Sequence, residues 1–204
     1  MRIRATLPNL DDVKLMILSG SLALLALTPC SAQSDVDLRF LQPFDSHASW
    51  APSPNFDLRP HDTVVDTIVL HHTACTLDET IRHFAKPHTK VSAHFTIGRN
   101  GELVQHASSL TRAWHAGPSL DPDGREKVND FSIGIELVHN GQSWEDYPQA
   151  QLDTLIDLIQ RLRDQAPIRR IVSHRLVAQP PGRKTDPIAF PWSSLEGLGV
   201  ELCP

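Results

Sequence analysis

The apolar residues of this chain change their spacing from segment to segment, and each spacing predicts an element. A β-branched run at 64–70, interrupted by one aspartate, is typical of a strand that is covered on both faces. Apolar and polar residues alternate along 91–97 and again along 132–137, which predicts two more strands. Apolar residues at helical spacing along 152–162 predict an amphipathic helix, and the pair at 171–172 predicts a short strand.

Cap and turn residues mark the boundaries between these segments. Thr76 and Glu79 have the spacing of a capping box, so we predict a helix that begins there and is ended by Pro87. Asn100-Gly101 is typical of a tight turn, which makes the strand at 91–97 one half of a hairpin. The order strand, helix, hairpin, strand, helix, strand predicts the α/β class: a single domain with a mixed central β-sheet flanked by α-helices.

The start of the chain falls outside this pattern. Residues 15–27 are uncharged, follow a basic residue and precede small residues, which is the layout of a secretory signal; a buried core helix is the alternative. We therefore predict a signal peptide over 1–32 and export to the periplasm or cell envelope, with a lipid anchor on Cys30 as the lesser option. Residues 33–62 contain several prolines and no sustained period, so we predict an extended N-terminal arm ahead of a domain over 63–204.

Composition and charge narrow the classes of partner. The chain has 204 residues, 40% of them hydrophobic, and a formal net charge of −5 at pH 7, which fits one globular domain with a mildly acidic surface. Such a surface argues against nucleic acid as a partner, because binding it requires a basic stripe. We expect a monomer. Cys75 and Cys203 could pair in an oxidising compartment or remain free thiols.

Two histidines stand where predicted strands end, His71 after the run at 64–70 and His174 after the pair at 171–172. In such sheets functional residues collect at the carboxyl ends of strands, so we expect the two imidazoles to lie at one edge. Asp186 returns from a stiff, proline-containing loop and completes the three-ligand set of a catalytic zinc, which leaves a fourth position for water. The short His-to-Asp spacing alone is a weak signal, because solvated loops are rich in Asp and Lys.

Two more charged residues are candidates for the same site. Lys184 lies two positions before Asp186 and is expected beside it. Glu136 lies on the strand at 132–137, on the same side as Gly134, and we expect the glycine to leave a cavity in front of the carboxylate. Six other histidines are assigned to surface or structural positions: His47, His61, His83, His88, His106 and His139.

Five motifs follow one another in one order along the chain. They are His71, the strand at 91–98, WHAG at 114–117, NDFSIGIEL at 129–137, and His174 followed by KTDP at 184–187. Together they resemble the zinc-dependent N-acetylmuramoyl-L-alanine amidases of the AmpD and peptidoglycan-recognition type, over about residues 67–192. Any one motif would be a weak signal, whereas five in register are specific.

The resemblance implies an enzyme that hydrolyses the amide between N-acetylmuramic acid and L-alanine, with peptidoglycan or muropeptides as its partners. It implies one zinc ion per chain, with ligands at His71, His174 and Asp186. Glu136 matches the glutamate that the family is proposed to use as general base. Lys184 matches the lysine thought to steady the developing oxyanion.

Some positions separate the branches of this family or have two interpretations. Ala93 stands where the phage-lysozyme branch has a catalytic tyrosine, and Asp186 stands where that branch has a cysteine, so the chain resembles the AmpD-type branch. His94 and His115 could support the zinc site or contact substrate, and a structural role is the alternative. Trp114 could stack on a sugar or belong to the core.

Two other functions are alternatives to the amidase. A non-catalytic, zinc-containing recognition module would bind peptidoglycan without cutting it, and loss of a ligand would mark such a protein. All three ligand positions are filled here. A zinc peptidase that cuts within the stem peptide would ordinarily carry a helical His-Glu-x-x-His motif, which this sequence lacks.

Overall fold

The structure is a computed structural model that describes residues 47–204. This range contains nine strands and three α-helices, joined by loops and short 3₁₀ turns. The strands are β1 (Ser49–Trp50), β2 (Phe56–Leu58), β3 (Thr67–His72), β4 (Phe95–Ile97), β5 (Leu103–Gln105), β6 (Thr111–Ala113), β7 (Ser132–Leu137), β8 (Arg170–Ser173) and β9 (Glu201–Cys203). The helices are α1 (Leu77–Phe84), α2 (Gln149–Gln165) and α3 (His174–Val177).

Seven strands of the described range form one mixed sheet in the order β1-β5-β4-β7-β3-β8-β9. Strands β4 and β5 are antiparallel, whereas every other neighbouring pair in this sheet is parallel. Strands β2 and β6 form a separate antiparallel pair. The predicted α/β class, with a mixed central sheet and packed helices, is confirmed.

Strand β3 is flanked by β7 and β8 because its side chains are apolar on both faces. Ile68 and Leu70 belong to the core cluster that includes α2, whereas Val69 belongs to a second cluster with Val172. All four side chains are fully buried. Since β3 runs parallel to both of its neighbours, the carboxyl ends of all three strands lie at one edge of the sheet.

Both predicted helices are present. Thr76 caps α1, and the backbone and side-chain hydrogen bonds of the capping box with Glu79 are both formed. Helix α2 follows Pro148 and runs for 17 residues. Its stripe of buried apolar side chains packs against the sheet and consists of Leu152, Leu155, Leu158, Ile159 and Leu162.

The hairpin strand predicted at 91–97 is shorter than its sequence pattern suggests. Only the last three residues pair with β5 as strand β4. Before it, the amide of Ser92 donates to the carbonyl of Trp114, and the amide of His94 donates to the carbonyl of Gly134. The alternation reflects burial on two sides, and the amides at 92 and 94 donate to Trp114 and to Gly134 of β7 rather than to β5.

The described part of the arm, residues 47–62, is hydrogen-bonded to the rest of the molecule. Strand β1 adds to the sheet edge at β5, and β2 pairs with β6. The buried side-chain amide of Asn55 donates to the carbonyls of Phe84, Lys86 and Val91. The arm therefore packs on the region that holds α1 and the approach to β4.

The predicted signal peptide over 1–32 and the lipid anchor at Cys30 lie outside the described residues. Between residues 47 and 204, no helix is long and apolar enough to cross a bilayer. The two cysteines of this range, Cys75 and Cys203, are free thiols. The disulfide considered from the sequence is therefore not formed.

Candidate metal centre and active site

Three predicted ligands meet at the carboxyl edge of β3 and β8. Leu70 and Ser173 are register partners in this parallel pair, so the histidine that follows each of them emerges at the same level. The Nδ1 atoms of His71 and His174 are 2.9 Å apart. Oδ2 of Asp186 lies 2.8 Å from Nδ1 of His174 and 3.3 Å from Nδ1 of His71. The loop after α3 thus returns a carboxylate to two strand-end imidazoles.

The spacing and chemistry of these atoms fit a zinc ion. Bonds of about 2.0–2.1 Å at tetrahedral angles would place two ligand atoms roughly 3.3 Å apart, close to the separations found here. Two imidazole nitrogens and one carboxylate oxygen are the donor set of a catalytic zinc with one open position. Nε2 of His174 lies 3.2 Å from the carbonyl of Ala116, which can only accept a hydrogen bond. The ring proton of His174 therefore belongs on Nε2, and Nδ1 keeps its lone pair for a metal.

The protonation of the ligands also favours a cation. Burial, and then the proximity of His174, lowers the pKa of His71 to about 4, so its imidazole is neutral at pH 7. Burial acts to raise the pKa of Asp186, but the close approach of the His174 and His71 imidazoles outweighs it and holds that pKa below the usual range. A neutral imidazole and an ionised carboxylate are the forms that coordinate zinc.

Glu136 lies on β7 as the register partner of His71 on β3. Its Oε2 atom is buried and has no hydrogen-bond partner among the described residues. Burial, followed by repulsion from Asp186, raises the pKa of this carboxyl to about 8. A buried carboxyl oxygen without a partner is costly unless a ligand, water or ion completes it, which makes Glu136 a candidate functional group.

The cavity expected beside Gly134 is not there, because the ring of His115 fills it. A Cβ atom on Gly134 would lie 2.5 Å from Cγ of His115. Nδ1 of His115 is 3.1 Å from Nε2 of His71. The glycine therefore makes room for a histidine that contacts a predicted zinc ligand, and the expectation of an open space there was wrong.

Lys184 is exposed on the loop that carries Asp186. Its positive charge lowers the pKa of both His71 and Glu136, which places the ammonium within electrostatic range of the site. The neighbouring Arg183 donates from Nη2 to the carbonyl of Ala116 at 2.8 Å. This hydrogen bond ties the loop to the same carbonyl that contacts His174.

His94 and Trp114 are engaged inside the protein. The fully buried ring of His94 accepts at Nδ1 from the amide of Gly134, and its Nε2 lies 3.0 Å from the carbonyl of Thr111. Both ring nitrogens are used, which leaves none for a substrate. The half-buried Trp114 donates from Nε1 to Oδ2 of Asp57 at 2.7 Å, so its indole is anchored to the arm.

Several residues that support the site were missed in the sequence. Tyr147 donates to the carbonyl of Ile188, and the amide of Ile188 donates to Nδ1 of His72, so this peptide, two residues after Asp186, is held from both sides. Oδ1 of Asn129 accepts from the amides of two residues in the WHAG motif. Asn129 had a signal, since it opens the NDFSIGIEL motif, whereas nothing in the sequence connects the tyrosine to the site.

Comparisons with known proteins identify the family of this chain. The family model for N-acetylmuramoyl-L-alanine amidase matches residues 61–189. The chain is 39% identical over 168 residues to 1,6-anhydro-N-acetylmuramyl-L-alanine amidase AmpD of Escherichia coli (strain K12), covering 72% of this chain and 89% of that protein. The chain belongs to the N-acetylmuramoyl-L-alanine amidase family, and the predicted amidase activity is confirmed.

Two solved structures share the fold. The crystal structure of a selenomethionine AmpD derivative has a TM-score of 0.65 and 34% identity, and the match covers 76% of this chain and 96% of that one. AmiD from E. coli, in complex with anhydro-N-acetylmuramic acid-L-Ala-D-γ-Glu-L-Lys, has a TM-score of 0.61 and 28% identity. That match covers 70% of this chain and 61% of AmiD.

The same comparisons correct the predicted location. Export to the periplasm or cell envelope was expected from the apolar run near the start of the chain. Relatives that match most of the chain are AmpD proteins, which act in the cytoplasm in recycling. The prediction of an exported protein is therefore contradicted.

Proposed function

We propose that this amidase uses one zinc ion, held by His71, His174 and Asp186, to cleave 1,6-anhydro muropeptides. The observation that carries the proposal is the convergence of three donor atoms within 3.3 Å at the carboxyl edge of the sheet. The bond cleaved joins the lactyl group of N-acetylmuramic acid to L-alanine.

The choice of substrate is supported by two relatives. AmpD is named for a 1,6-anhydro sugar, and the AmiD complex contains an anhydro-muropeptide. The name of AmpD and the ligand of the AmiD complex thus both point to the anhydro form of the sugar. A stem peptide longer than L-alanine is named only for the AmiD complex. We infer that the muropeptide released from the wall, rather than the intact sacculus, is the preferred substrate of this chain.

Zinc, when bound, supplies Lewis-acid chemistry: it polarises a carbonyl group and lowers the pKa of water. Glu136 then performs the proton transfers. Its Oε2 accepts a proton from the water that attacks the amide carbon, and returns it to the nitrogen of L-alanine as the C–N bond breaks. The metal-free carboxyl has a raised pKa of about 8, and a cation beside it favours the ionised form that a general base requires.

Lys184 stabilises the charge that develops on the carbonyl oxygen. It is the exposed cation whose charge already reaches His71 and Glu136. Such contacts are made mainly in the transition state, and deleting one oxyanion donor typically costs about 3–4 kcal/mol. This magnitude makes Lys184 as important to turnover as the base.

The test is a side-by-side digestion of purified sacculi and of 1,6-anhydro-N-acetylmuramyl peptides by the zinc-loaded chain. We expect mass analysis to show free stem peptide beginning with L-alanine, released faster from the anhydro-muropeptide. Release from sacculi alone would contradict the substrate proposal. A chain that binds one zinc and muropeptide but releases no peptide from either would instead favour the recognition module.

A further inference from the structure

His71 can bind a metal through Nδ1 only if its ring proton is on the other nitrogen. A neutral imidazole has one N–H group, and its position is set by the hydrogen bond that the second nitrogen makes. For His174 a backbone carbonyl fixes the proton directly. His71 has no such carbonyl: its Nε2 faces Nδ1 of His115 at 3.1 Å, and this atom can either donate or accept.

The direction of these hydrogen bonds is set by Ser132, which contacts the other ring nitrogen of His115. The hydroxyl of Ser132 donates to the carbonyl of Val128 at 2.6 Å, in a fully buried position. Its single proton is thereby used, so the contact of 3.2 Å between Oγ of Ser132 and Nε2 of His115 requires the histidine to donate. Nδ1 of His115 then has a lone pair and accepts from Nε2–H of His71.

We propose that His115 and Ser132 are positioning residues that fix the tautomer of His71. A series of hydrogen bonds runs from His71 to His115, from His115 to Ser132, and from Ser132 to the carbonyl of Val128. Because the carbonyl of Val128 can only accept, the position of every proton in this series is fixed. Nδ1 of His71 therefore keeps its lone pair for the metal. This role rests on the proposed zinc site, which it deepens.

Two further residues hold His115 in the required orientation. Gly134 leaves the space that its ring occupies, since a Cβ there would lie 2.5–2.8 Å from three ring atoms. Oδ1 of Asn129 lies 3.3 Å from the backbone amide of His115, which donates to it. The ring of His71 meets that of His115 edge-on at 5.1 Å between centroids. The packing of β7 and the loop that precedes it therefore holds this series of hydrogen bonds in place.

The direct test is the tautomer of His115 in the full chain, read from long-range ¹H–¹⁵N correlation spectra of the imidazole rings. We expect a proton on Nε2 and none on Nδ1, in the zinc-loaded and in the metal-free protein. A proton on Nδ1 of His115 would overturn the proposal. Failure of the wild type to bind zinc would refute the zinc site, and the tautomer could still be read without the metal.

Variants at His115 supply a second measurement, zinc affinity by competition with a chelator. His115→Ala should weaken zinc binding by about 10–100-fold, the range found for residues that orient metal ligands. His115→Asn should recover much of that loss, because its amide oxygen can accept from Nε2–H of His71. Equal zinc affinity of wild type and His115→Ala would contradict the assignment, as would an asparagine variant no better than alanine.

His106→Ala is the matched control for these variants. This imidazole is fully buried, and both of its nitrogens are engaged, with Ala51 and Thr96. It makes no hydrogen bond to a ligand. We expect this variant to lose stability yet keep wild-type zinc affinity. If it weakened zinc binding as much as His115→Ala does, the effect would be general packing, and the positioning role would fall.

Discussion

The two edges of the central sheet differ in how their buried carboxyl groups are hydrogen-bonded. At the carboxyl edge, the buried Oε2 of Glu136 has no hydrogen-bond partner among the described residues. At the amino edge, Asp66 precedes β3 and accepts hydrogen bonds from Arg125, Arg169 and Thr67. The carboxyl edge holds a carboxyl oxygen that the described residues do not satisfy, whereas the carboxylate at the amino edge is fully paired.

The shifts in pKa follow this difference. Burial is the main reason that the pKa of Glu136 rises to about 8. Burial also acts to raise the pKa of Asp66, but hydrogen bonds from Arg125 and Arg169 outweigh it, and the pKa falls. The pKa of Asp123 beside Arg170 and Arg169 is lowered to about 2. A buried carboxyl with a raised pKa and no partner marks a candidate site of chemistry, while a carboxylate held by arginines marks a structural tie.

The largest expected effect is the loss of a ligand at the carboxyl edge. Asp186→Ala removes the one anionic ligand, so we expect loss of bound zinc and a fall in amide hydrolysis of at least about 10³-fold. Metal analysis and release of stem peptide measure the two effects. A variant that keeps zinc and turnover would show that the carboxylate is not a ligand.

Glu136→Gln should separate catalysis from metal binding at the same edge. The amide keeps the shape of the side chain but cannot accept a proton, so turnover should fall by about 10²–10⁴-fold while zinc content stays at one per chain. Substrate affinity, measured by titration, should change little. Unaltered peptide release would retain the amidase and discard Glu136 as its base.

At the amino edge, Asp66→Asn should act on stability alone. Losing the charge weakens hydrogen bonds from two arginines, which should lower the free energy of unfolding by about 1–3 kcal/mol. Chemical denaturation measures this change, and kcat of the remaining folded, zinc-loaded protein should match the wild type. A lowered kcat with intact zinc would show that the two edges are coupled.

The last comparison is the pH dependence of stability in the metal-free chain, whose sign differs between the edges. Asp66 and Asp123 have lowered pKa values, so the stability they contribute is present above about 3.9 and is lost as the pH falls further, through about 2 for Asp123. Glu136 has a raised pKa, so its contribution is present below about 4.3 and is lost as the pH rises through about 8. Thermal unfolding of wild type and Glu136→Gln across this range should diverge toward alkaline pH; parallel curves would rule out the buried, unpaired carboxyl.

Much of the fold could be predicted because its central elements are long enough to show a period. Strand β3 and helix α2 are set by runs of apolar residues, and the strand-end positions of His71 and His174 follow from them. Strands β1 and β9 have two and three residues, too few for any period to appear. Their pairing depends on neighbours that are distant in the sequence.

The ligand set could be proposed from the sequence, but its supports could not. Ser132 contacts His115, 17 residues away, and Tyr147 donates to Ile188, 41 residues away; no local pattern reveals either contact. Gly134 was interpreted as an opening, yet the residue that fills the space, His115, is 19 positions earlier in the chain. Side-chain partners of this kind depend on tertiary packing, so only the structure could supply them.

The most direct test of the account compares the adjacent histidines of β3 by zinc analysis of the full chain. His71 faces the two other donors, whereas His72 accepts from the amide of Ile188 and stacks on His139. We expect one zinc per chain in the wild type and in His72→Ala, and none in His71→Ala. Retention of zinc by His71→Ala together with its loss from His72→Ala would contradict the metal centre described here.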